Sequence, residues 1–477
     1  TAPLLPLRPQ AEHPTPSGPR YRVYSPRYGA PTLPRSLSRP FLGEARLFDA
    51  TSPTAGVSVI NGPSTTPSGT LARVVEVPGA VLMGLGSILG TGIFVSIGIA
   101  AGVAGPGVVL AVILAAIVAT FNGLSSAQLA AAHPVSGGTY AYGYRYLNPR
   151  LGFTAGWMFL WAKSASAATA ALGFSGYVLS ASGVHGTLPR VAVALGLLAV
   201  LTTVVAGGIR RSNAANAVIV SVTLVGLSAF VLIGFPGMFE RGLAPFQPLL
   251  DPMTGGMRGL LHGTALMFVA YTGYGRIATL GEEIREPSRN IPRAIITTLV
   301  VTMVIYAAVT AVAVSTAGAE GLTSATDAET APLVVVARLL PVPGVSWVVG
   351  IAAVTAMAGV LLNLLLGLSR VAFAMGRQGD LPRSVGHVAG PEKSPVRAVL
   401  LVATIIAVLA SSGSVVTTWS FSAFTVLVYY ALTNLAALRL PEPDRRYPRW
   451  TALSGLVCCL GLAFFVDATI WAAGLTL

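Results

Sequence analysis

Charged residues are scarce in this 477-residue chain, where Asp, Glu, Lys and Arg together make up 10% of the sequence. A soluble globular protein carries about 25% charged residues, so this composition cannot supply a water-facing surface of ordinary size. The hydrophobic residues, 53% of the chain, come in blocks longer than the roughly 18 residues that distinguish a membrane-spanning helix from a buried soluble one. The composition therefore predicts an all-α polytopic membrane protein.

Cysteine and metal-ligand patterns are almost absent. Cys458 and Cys459 are adjacent, so on a helix their side chains point about 100° apart, and neither a disulfide framework nor a zinc site is predicted. No H-E-x-x-H or D-D-x-x-D pattern occurs, and the histidines are scattered: His13, His133, His185, His262 and His387. A membrane enzyme would need a metal cluster, paired carboxylates or an activated nucleophile. We therefore predict no enzyme, no catalytic residue, no metal and no cofactor.

Eleven apolar segments are predicted to cross the membrane, and we number them spans 1 to 11 in chain order. They lie near residues 79–103, 107–131, 151–180, 189–207, 213–235, 258–281, 292–316, 345–376, 396–411, 417–438 and 450–466. The residues after Val466 amount to about half a further span, so a twelfth helix would be truncated.

Residues 1–75 are predicted to form a disordered cytoplasmic tail. This segment holds 13 prolines, eight arginines and three acids, with no apolar run long enough for a signal peptide. The remaining chain is divided into a first five-helix repeat, an extracellular connection, a second five-helix repeat and a C-terminal part with span 11. These four parts are predicted at residues 76–235, 236–257, 258–438 and 439–477.

The formal net charge of +13 is predicted to be a topology signal rather than a sign of nucleic-acid binding. With the tail in the cytoplasm, the loops on that side hold Arg145, Arg150, Arg210, Arg211, Arg285, Arg289, Arg293, Arg377, Arg383, Lys393, Arg397, Arg439, Arg445, Arg446 and Arg449. The other side holds Arg190, Arg241, Arg258 and Arg338. This asymmetry satisfies the positive-inside rule and predicts an integral protein of the plasma (inner) membrane, with membrane lipid as its surroundings.

Glycines crowd two spans that lie five helices apart. Span 1 carries GSILGTGIF at residues 86–94, and span 6 carries YTGYGR at residues 271–276. Glycine can serve close helix packing alone. If the chain is two five-helix units in opposite orientation, however, these spans correspond, and interrupted helices at matching positions indicate a binding site near the midplane. A zwitterionic amino acid offers one charge to the half-helix amides and the other to the freed carbonyls.

Four motifs in order resemble the amino acid, polyamine and organocation (APC) permeases. They are the GTG of span 1, HPVSGGTYAYGYRYLNPRLGF after span 2, FVAYTGYGRIATLGEEIREPSRNIPRAI at residues 268–295, and SRVAFAMGRQGDLP at residues 369–382. The likeness extends from residue 76 to about 466 and is closest to the cationic-amino-acid-transporter-like branch. It implies a LeuT-type fold of five-plus-five inverted repeats, with spans 1 and 6 broken, and a secondary transporter of amino acids.

The resemblance also implies where the substrate binds. The amides of Gly90, Thr91 and Gly92 would hold its carboxylate. The carbonyl groups beside its amino group would come from both breaks, and they belong to Ile88, Val269, Ala270 and Thr272. Gly273 would lie in the same site. Three aromatic residues would gate or line the pocket: Phe94, Phe268 and Tyr271. For each of them, a role in packing alone is the alternative.

No acidic residue occurs between Glu76 and Glu240, so the first half offers no carboxylate to a cationic side chain. This absence favours small or neutral amino acids, despite the branch that the motifs resemble. Relatives of that branch place a lysine in the middle of span 5 that stands in for sodium, and alignment puts Thr223 at its position. The coupling ion, proton or sodium, is thus left open.

Lys163 lies 12 residues beyond Leu151, about 18 Å along a helix and near the bilayer centre. An ammonium at this depth is costly and is therefore a candidate proton carrier. The alternative is a structural lysine bonded to carbonyls at a helix break. For Arg276, pairing with Glu282 or Glu283, or gating, is favoured over substrate contact, and Arg370 has a similar structural interpretation near the cytoplasmic end of its span. For Asn363, an interhelical hydrogen bond is favoured over a role in the substrate pathway.

Other functional classes remain as alternatives. An amino acid/polyamine exchanger, or a sensor that binds an amino acid without moving it, would share every motif. A channel is disfavoured, because broken helices in inverted repeats suit alternating access better than a standing pore.

Overall fold

The computed structural model describes residues 75–135, 137–207, 213–278, 283–327, 331–388 and 395–476. The predicted tail, apart from Val75, lies outside the described residues. Within them the regular structure is helical, and one isolated β-bridge pairs Val75 with Ile284. The predicted all-α class is confirmed.

All eleven predicted spans coincide with helices. Spans 2 to 5 are Val108–Ala132, Pro149–Ser182, Thr187–Ala206 and Asn213–Arg241. Spans 7 to 11 are Pro287–Asp327, Val345–Gln378, Val396–Ala410, Val415–Leu438 and Arg449–Ala463. Three shorter helices lie between or after them: Thr139–Tyr146, Pro332–Arg338 and Ala468–Thr476.

Local sequence explains where the longest spans begin and end. Span 3 begins after Asn148, whose side chain accepts a hydrogen bond from the Leu151 amide at 2.9 Å, and it ends at Gly183 with φ of 69°. Span 8 lies between Gly344, with φ of 88°, and Gly379, with φ of 91°. Positive φ at these positions favours glycine, which lets the chain enter span 8 at Gly344 and leave spans 3 and 8 at Gly183 and Gly379 without strain.

Spans 1 and 6 are each broken into shorter pieces, as predicted. Span 1 consists of Val77–Ile88, Thr91–Phe94 and Ser96–Ala104, separated by non-helical backbone at Leu89, Gly90 and Val95. Span 6 consists of Gly256–Tyr271, a 3-10 turn at Thr272–Tyr274, and Gly275–Ala278. The breaks lie in the glycine-rich motifs.

By length and apolar composition alone, six helices in the described part of the chain qualify as membrane spans. A seventh qualifies if Arg449–Ala463 and Ala468–Thr476, bent by 111°, form one span. The first helix of span 1 has 12 residues and the longest piece of span 6 has 16, whereas a crossing needs about 20. The breaks therefore account for part of the difference from eleven, and Val396–Ala410 and Arg449–Ala463, with 15 residues each, are also shorter than a crossing.

Contacts near the ends of the spans define two faces of the structure. We call the face with the start of span 1 the Glu76 face, and the face with the turn after span 1 the Gly105 face. On the Gly105 face a side chain at Gly105 would begin 2.9 Å from the Thr254 hydroxyl, which places the connection before span 6 beside the end of span 1.

A ladder of hydroxyl groups joins spans 3 and 10. Ser166 and Ser422 lie 2.7 Å apart through their hydroxyl oxygens, and the Thr169 hydroxyl donates to the Thr418 hydroxyl at 2.8 Å. Ser422 also donates to the Ala162 carbonyl at 2.9 Å. Short polar side chains allow close approach between membrane helices, and here they hold the middle of span 3 in place.

Candidate functional site

The two breaks meet at glycine residues. A side chain at Gly92 would begin 2.7 Å from the Ala270 methyl carbon and 2.9 Å from the Tyr306 hydroxyl. A side chain at Gly273 would collide with the Ser87 carbonyl oxygen. Glycine is therefore required at both positions for spans 1 and 6 to touch at this distance.

The Tyr306 hydroxyl, from span 7, reaches carbonyl groups of both breaks. It donates a hydrogen bond to the Ile88 carbonyl at 2.9 Å and lies 3.4 Å from the Ala270 carbonyl. Tyr306 is 0% exposed. Two carbonyls that the resemblance assigned to a substrate amino group thus share a donor from the protein itself.

The other two assigned carbonyls also have internal partners. The Thr272 hydroxyl donates back to the Val269 carbonyl at 2.7 Å, and the Tyr430 hydroxyl donates to the Thr272 carbonyl at 3.2 Å. These bonds satisfy oxygens that would otherwise be unpaired inside the bilayer, at a cost of several kcal/mol each. Span 6 is therefore stabilised at its break without any ligand.

The amides at the span 1 break, unlike the carbonyls described above, are not all hydrogen-bonded within the described part of the protein. Ile93 and Phe94 donate to the Gly90 carbonyl at 3.0 and 3.1 Å. Among the residues that the structure describes, the amides of Gly90, Thr91 and Gly92 have no hydrogen-bond acceptor, and the buried Thr91 hydroxyl has no partner. The break thus brings together hydrogen-bond donors that suit an anion.

Lys163 extends from span 3 to the break of span 6. Its ammonium donates to the Thr272 hydroxyl at 2.7 Å and lies 3.5 Å from the Thr272 carbonyl. Lys163 is 7% exposed, and no ion pair to it occurs in the described part of the chain. One buried lysine amino group is therefore bonded to Thr272 at the break of span 6.

Thr223 is 1% exposed, and its hydroxyl donates to the Ile219 carbonyl of its own helix at 2.8 Å. The hydrogen bonds described at the two breaks involve Lys163 but not Thr223. The role of Thr223 in coupling stays a prediction.

The predicted gating residues, Phe94, Phe268 and Tyr271, are each 0% exposed and lie at the breaks. The Tyr177 ring packs edge-on against Phe94 with centroids 6.2 Å apart, and its hydroxyl donates to the Phe94 carbonyl at 2.7 Å. The Tyr271 hydroxyl donates to the Val112 carbonyl at 3.2 Å. Each aromatic side chain is thus packed, and gating remains a prediction.

A family model described as amino acid permease matches residues 79–477. The chain belongs to the amino acid permease family. It is an amino acid transporter of the APC superfamily, and such transporters are not a class of enzymes.

Relatives agree with this family, and a solved structure shares its fold. The permease is 41% identical to an uncharacterized transporter of Mycobacterium tuberculosis, over 83% of this chain and 86% of that one. It is 29% identical to the branched-chain amino acid permease BcaP of Bacillus subtilis, over 80% and 84%. The crystal structure of MhsT in complex with L-phenylalanine matches with a TM-score of 0.60 at 14% identity, over 83% of this chain and 100% of MhsT. The LeuT-type fold is thereby confirmed.

The Glu76 face of the permease holds a backbone bridge with ion pairs on either side. Val75 donates to the Glu283 carbonyl at 3.0 Å, and the Arg285 amide donates to the Val75 carbonyl at 2.9 Å. Glu76 pairs with Arg285 at 2.7 Å, and Arg370 lies 3.9 Å from Glu283. The expected pairing of Arg370 is confirmed. Of the two partners expected for Arg276, Glu282 lies outside the described residues.

A second contact on this face joins the helix Thr139–Tyr146 to the end of span 8. The Tyr140 hydroxyl donates to the Asp380 carboxylate at 2.7 Å, and the Tyr144 hydroxyl lies 2.8 and 2.9 Å from its two oxygens. Burial, together with Asp380, raises the pKa of Tyr144 to about 12 and also raises that of Tyr140. Both hydroxyls therefore stay protonated donors near neutral pH. Two of the family-like motifs meet here.

Sequence reasoning missed Tyr306 and Tyr430 as partners of the breaks. Their only signal was a polar hydroxyl within an apolar span, which must find an acceptor when it is buried. Asn363 behaves as expected, since its amide donates to the Gly86 carbonyl of span 1 at 3.0 Å. That carbonyl lies just before the break, so span 8 also supports it.

Proposed function

We propose that the permease is a secondary active transporter that moves small or neutral amino acids by alternating access. The observation that carries the proposal is the meeting of the two breaks, where Gly92 of span 1 packs against Ala270 of span 6. Interrupted helices at matching positions of inverted halves bring opposite helix ends to one midplane point. A zwitterionic substrate can place its carboxylate at one helix end and its ammonium at the other.

The carboxylate end of the substrate binds at span 1. The amides of Gly90, Thr91 and Gly92, together with the Thr91 hydroxyl, have no acceptor among the described residues and lie within one turn. A carboxylate would accept several of these bonds at once. Hydrogen bonds to an ionised acceptor are about twice as strong as neutral ones, so this end supplies much of the affinity.

The amino end lies against the carbonyls of Ile88 and Ala270, with Val269, Thr272 and Gly273 completing the span 6 side. A carbonyl oxygen has two lone pairs, so the bond from Tyr306 leaves room for a second donor. Phe94, Phe268 and Tyr271, all fully buried, would have to move when the site opens. This need supports their assignment as gating residues.

A neutral side chain is favoured by the charges near the breaks. In the described part of the chain, the hydrogen bonds and ion pairs at the breaks involve no carboxylate, while Glu76 and Glu283 are engaged on the Glu76 face. The relative named as a branched-chain amino acid permease is consistent with such a substrate. A cationic side chain would enter a site that already holds the Lys163 ammonium.

Protons couple transport through Lys163. The Lys163 ammonium offers three N–H donors to Thr272 and its surroundings, whereas the neutral amine offers two donors and can accept one hydrogen bond. Protonation therefore changes the hydrogen bonds between span 3 and the break of span 6. Because Thr272 also belongs to the amino-end site, protonation and substrate binding act on the same segment. Thr223, in the next span but one, is the second coupling candidate.

The Glu76 face is cytoplasmic in the plasma (inner) membrane, since the basic loop residues are concentrated on that side. With this orientation, the Val75–Ile284 bridge and its ion pairs close the inner side of the transporter.

Uptake into proteoliposomes tests the proposal. The full chain is reconstituted and offered labelled L-alanine, L-valine, L-leucine, L-lysine and putrescine, with and without an imposed pH gradient. Uptake of the neutral amino acids, increased by a proton gradient directed with transport, is expected. Uptake of putrescine alone, or binding of amino acids without uptake, would contradict it in favour of a polyamine exchanger or a sensor.

A further inference from the structure

Tyr306 lies in the middle of span 7, and no motif points to it. Among the described residues, its hydroxyl is the one group that forms hydrogen bonds with carbonyls of both breaks, at 2.9 Å from Ile88 and 3.4 Å from Ala270. A side chain at Gly92 would begin 2.9 Å from the same oxygen. The hydroxyl therefore lies between the amides of span 1 and the carbonyls of both spans.

A phenol donates one hydrogen bond and can accept others. The bond to Ile88 uses the proton of Tyr306, which leaves the lone pairs of its oxygen available. A primary ammonium has three N–H donors. Three acceptors lie at one place: the Ile88 carbonyl, the Ala270 carbonyl and the Tyr306 oxygen. Their number matches the three N–H donors of a primary ammonium.

We propose that Tyr306 is a specificity-determining residue whose hydroxyl oxygen is the third acceptor for the α-ammonium of the substrate. The inference rests on the proposed amino-end site. It predicts selection of primary α-amino acids over N-methylated ones, because a secondary ammonium has only two N–H donors and needs only the two carbonyls.

A purely structural role for Tyr306 makes a different prediction. If its hydroxyl only held the two breaks together, its removal would weaken the binding of every ligand by a similar factor. If it accepts the third N–H, its removal weakens primary amines selectively. The ratio of the affinities for a primary amine and its N-methylated analogue therefore distinguishes a specificity-determining role of Tyr306 from a structural one.

The test measures binding of L-valine and N-methyl-L-valine to the full-length wild type and to Tyr306→Phe by calorimetry. A hydrogen bond to a charged group is worth about tenfold in affinity, so Tyr306→Phe should lose about tenfold for L-valine. For N-methyl-L-valine the loss should stay below about threefold, since no third N–H exists.

Tyr142→Phe is the matched control. Tyr142 is also buried, at 1% exposure, and its hydroxyl has no hydrogen-bond partner in the described structure. This variant also loses a buried phenol hydroxyl, but one that does not contact the breaks. Its affinities for L-valine and for N-methyl-L-valine should therefore equal those of the wild type.

The ligand series in the wild type gives an answer that does not depend on the variant folding. N-Methyl-L-valine should bind about tenfold more weakly than L-valine, and equal affinity would overturn the inference. An equal loss for both ligands in folded Tyr306→Phe would overturn it too, while leaving the proposed function intact. Failure of the wild type to bind any neutral amino acid would overturn the proposed function and, with it, this inference.

Discussion

The breaks in spans 1 and 6 occupy matching positions in the two halves, yet their backbone groups are satisfied differently. At span 6, and at Ile88 across from it, carbonyl oxygens accept hydrogen bonds from side chains of the protein, among them Tyr306 and Tyr430. At span 1, the amides from Gly90 to Gly92 have no acceptor within the described residues.

Under the proposed function, this difference predicts which charge of a zwitterionic substrate contributes more to its affinity. Leaving a buried donor unpaired costs about 1–3 kcal/mol, so a carboxylate that accepted hydrogen bonds at span 1 would remove this cost. An ammonium at span 6 must instead share carbonyls that are already bonded. Under the proposed function, span 1 would therefore supply most of the substrate affinity, and span 6 would carry specificity and coupling.

The largest expected effect comes from disrupting the span 1 side. Gly92→Val should weaken amino acid binding by at least about 100-fold, or about 2.8 kcal/mol, because its side chain would overlap Ala270 and the Tyr306 hydroxyl. Binding to purified protein checks this. Gly196→Val is the control, since Gly196 has no atom within 4 Å of an added side chain and should bind normally. Near wild-type affinity in folded Gly92→Val would refute a site at this break.

The next effect comes from the span 6 side. Lys163→Met removes the ammonium from Thr272 and keeps much of the stem, so accumulation driven by a pH gradient should fall to the level without a gradient, while exchange of bound substrate persists. Both are measured side by side in proteoliposomes. Ser164→Ala, which removes a neighbouring buried hydroxyl that has no partner in the described structure, should accumulate substrate normally.

Two results would count against Lys163 as the coupling group. Unchanged gradient-driven accumulation in Lys163→Met would reject the role outright. Loss of folded protein, with Ser164→Ala intact, would identify a structural lysine that stabilises the broken span.

A smaller effect is expected at the contact between Tyr144 and Asp380. Tyr144→Phe removes hydrogen bonds to Asp380, so the protein should lose about 1 kcal/mol of stability, a fall of roughly 2 °C in the thermal unfolding midpoint, while binding is unchanged. A change in affinity without a change in the midpoint would mean that the Glu76 face controls the site directly.

The pH dependence of this contact has a defined sign. The folded pKa of Tyr144, about 12, lies above the value of about 10 expected in the unfolded chain, so its contribution is complete below about pH 10 and is lost as the pH rises towards 12. The midpoint difference between wild type and Tyr144→Phe should therefore be constant from about pH 6 to pH 9. A difference that shrinks within this range would contradict the assignment.

The smallest effect is expected from the N-terminal segment. Its composition cannot bury a hydrophobic core, so deletion of residues 1–70 should leave the transport rate within about a factor of two. Uptake by correctly inserted protein checks this. A large loss would show that this segment gates or regulates transport.

Local patterns predicted the helices and both breaks. Apolar blocks define the spans, and the glycine clusters at residues 86–94 and 271–276 interrupt the helices where they occur. The sequence placed Lys163 in the middle of span 3, where the structure has it, but it did not identify its partner, Thr272.

Contacts between distant segments could not be predicted in this way. Tyr306 and Ile88 are 218 residues apart, and Asn363 and Gly86 are 277 apart, so only the folded chain brings them together. The resemblance assigned four carbonyls to the substrate, and it could not show that the protein already supplies them with donors. Thr223 was placed by alignment alone, and its bond to Ile219 is local.

Competition between truncated ligands tests the contrast between the breaks most directly. L-Valinol lacks the carboxylate of L-valine, and isovalerate lacks the ammonium. Measured against L-valine on wild-type protein, L-valinol should lose at least about tenfold more affinity than isovalerate, because span 1 donors have no substitute whereas span 6 carbonyls keep theirs. Equal losses, or a larger loss for isovalerate, would contradict the account.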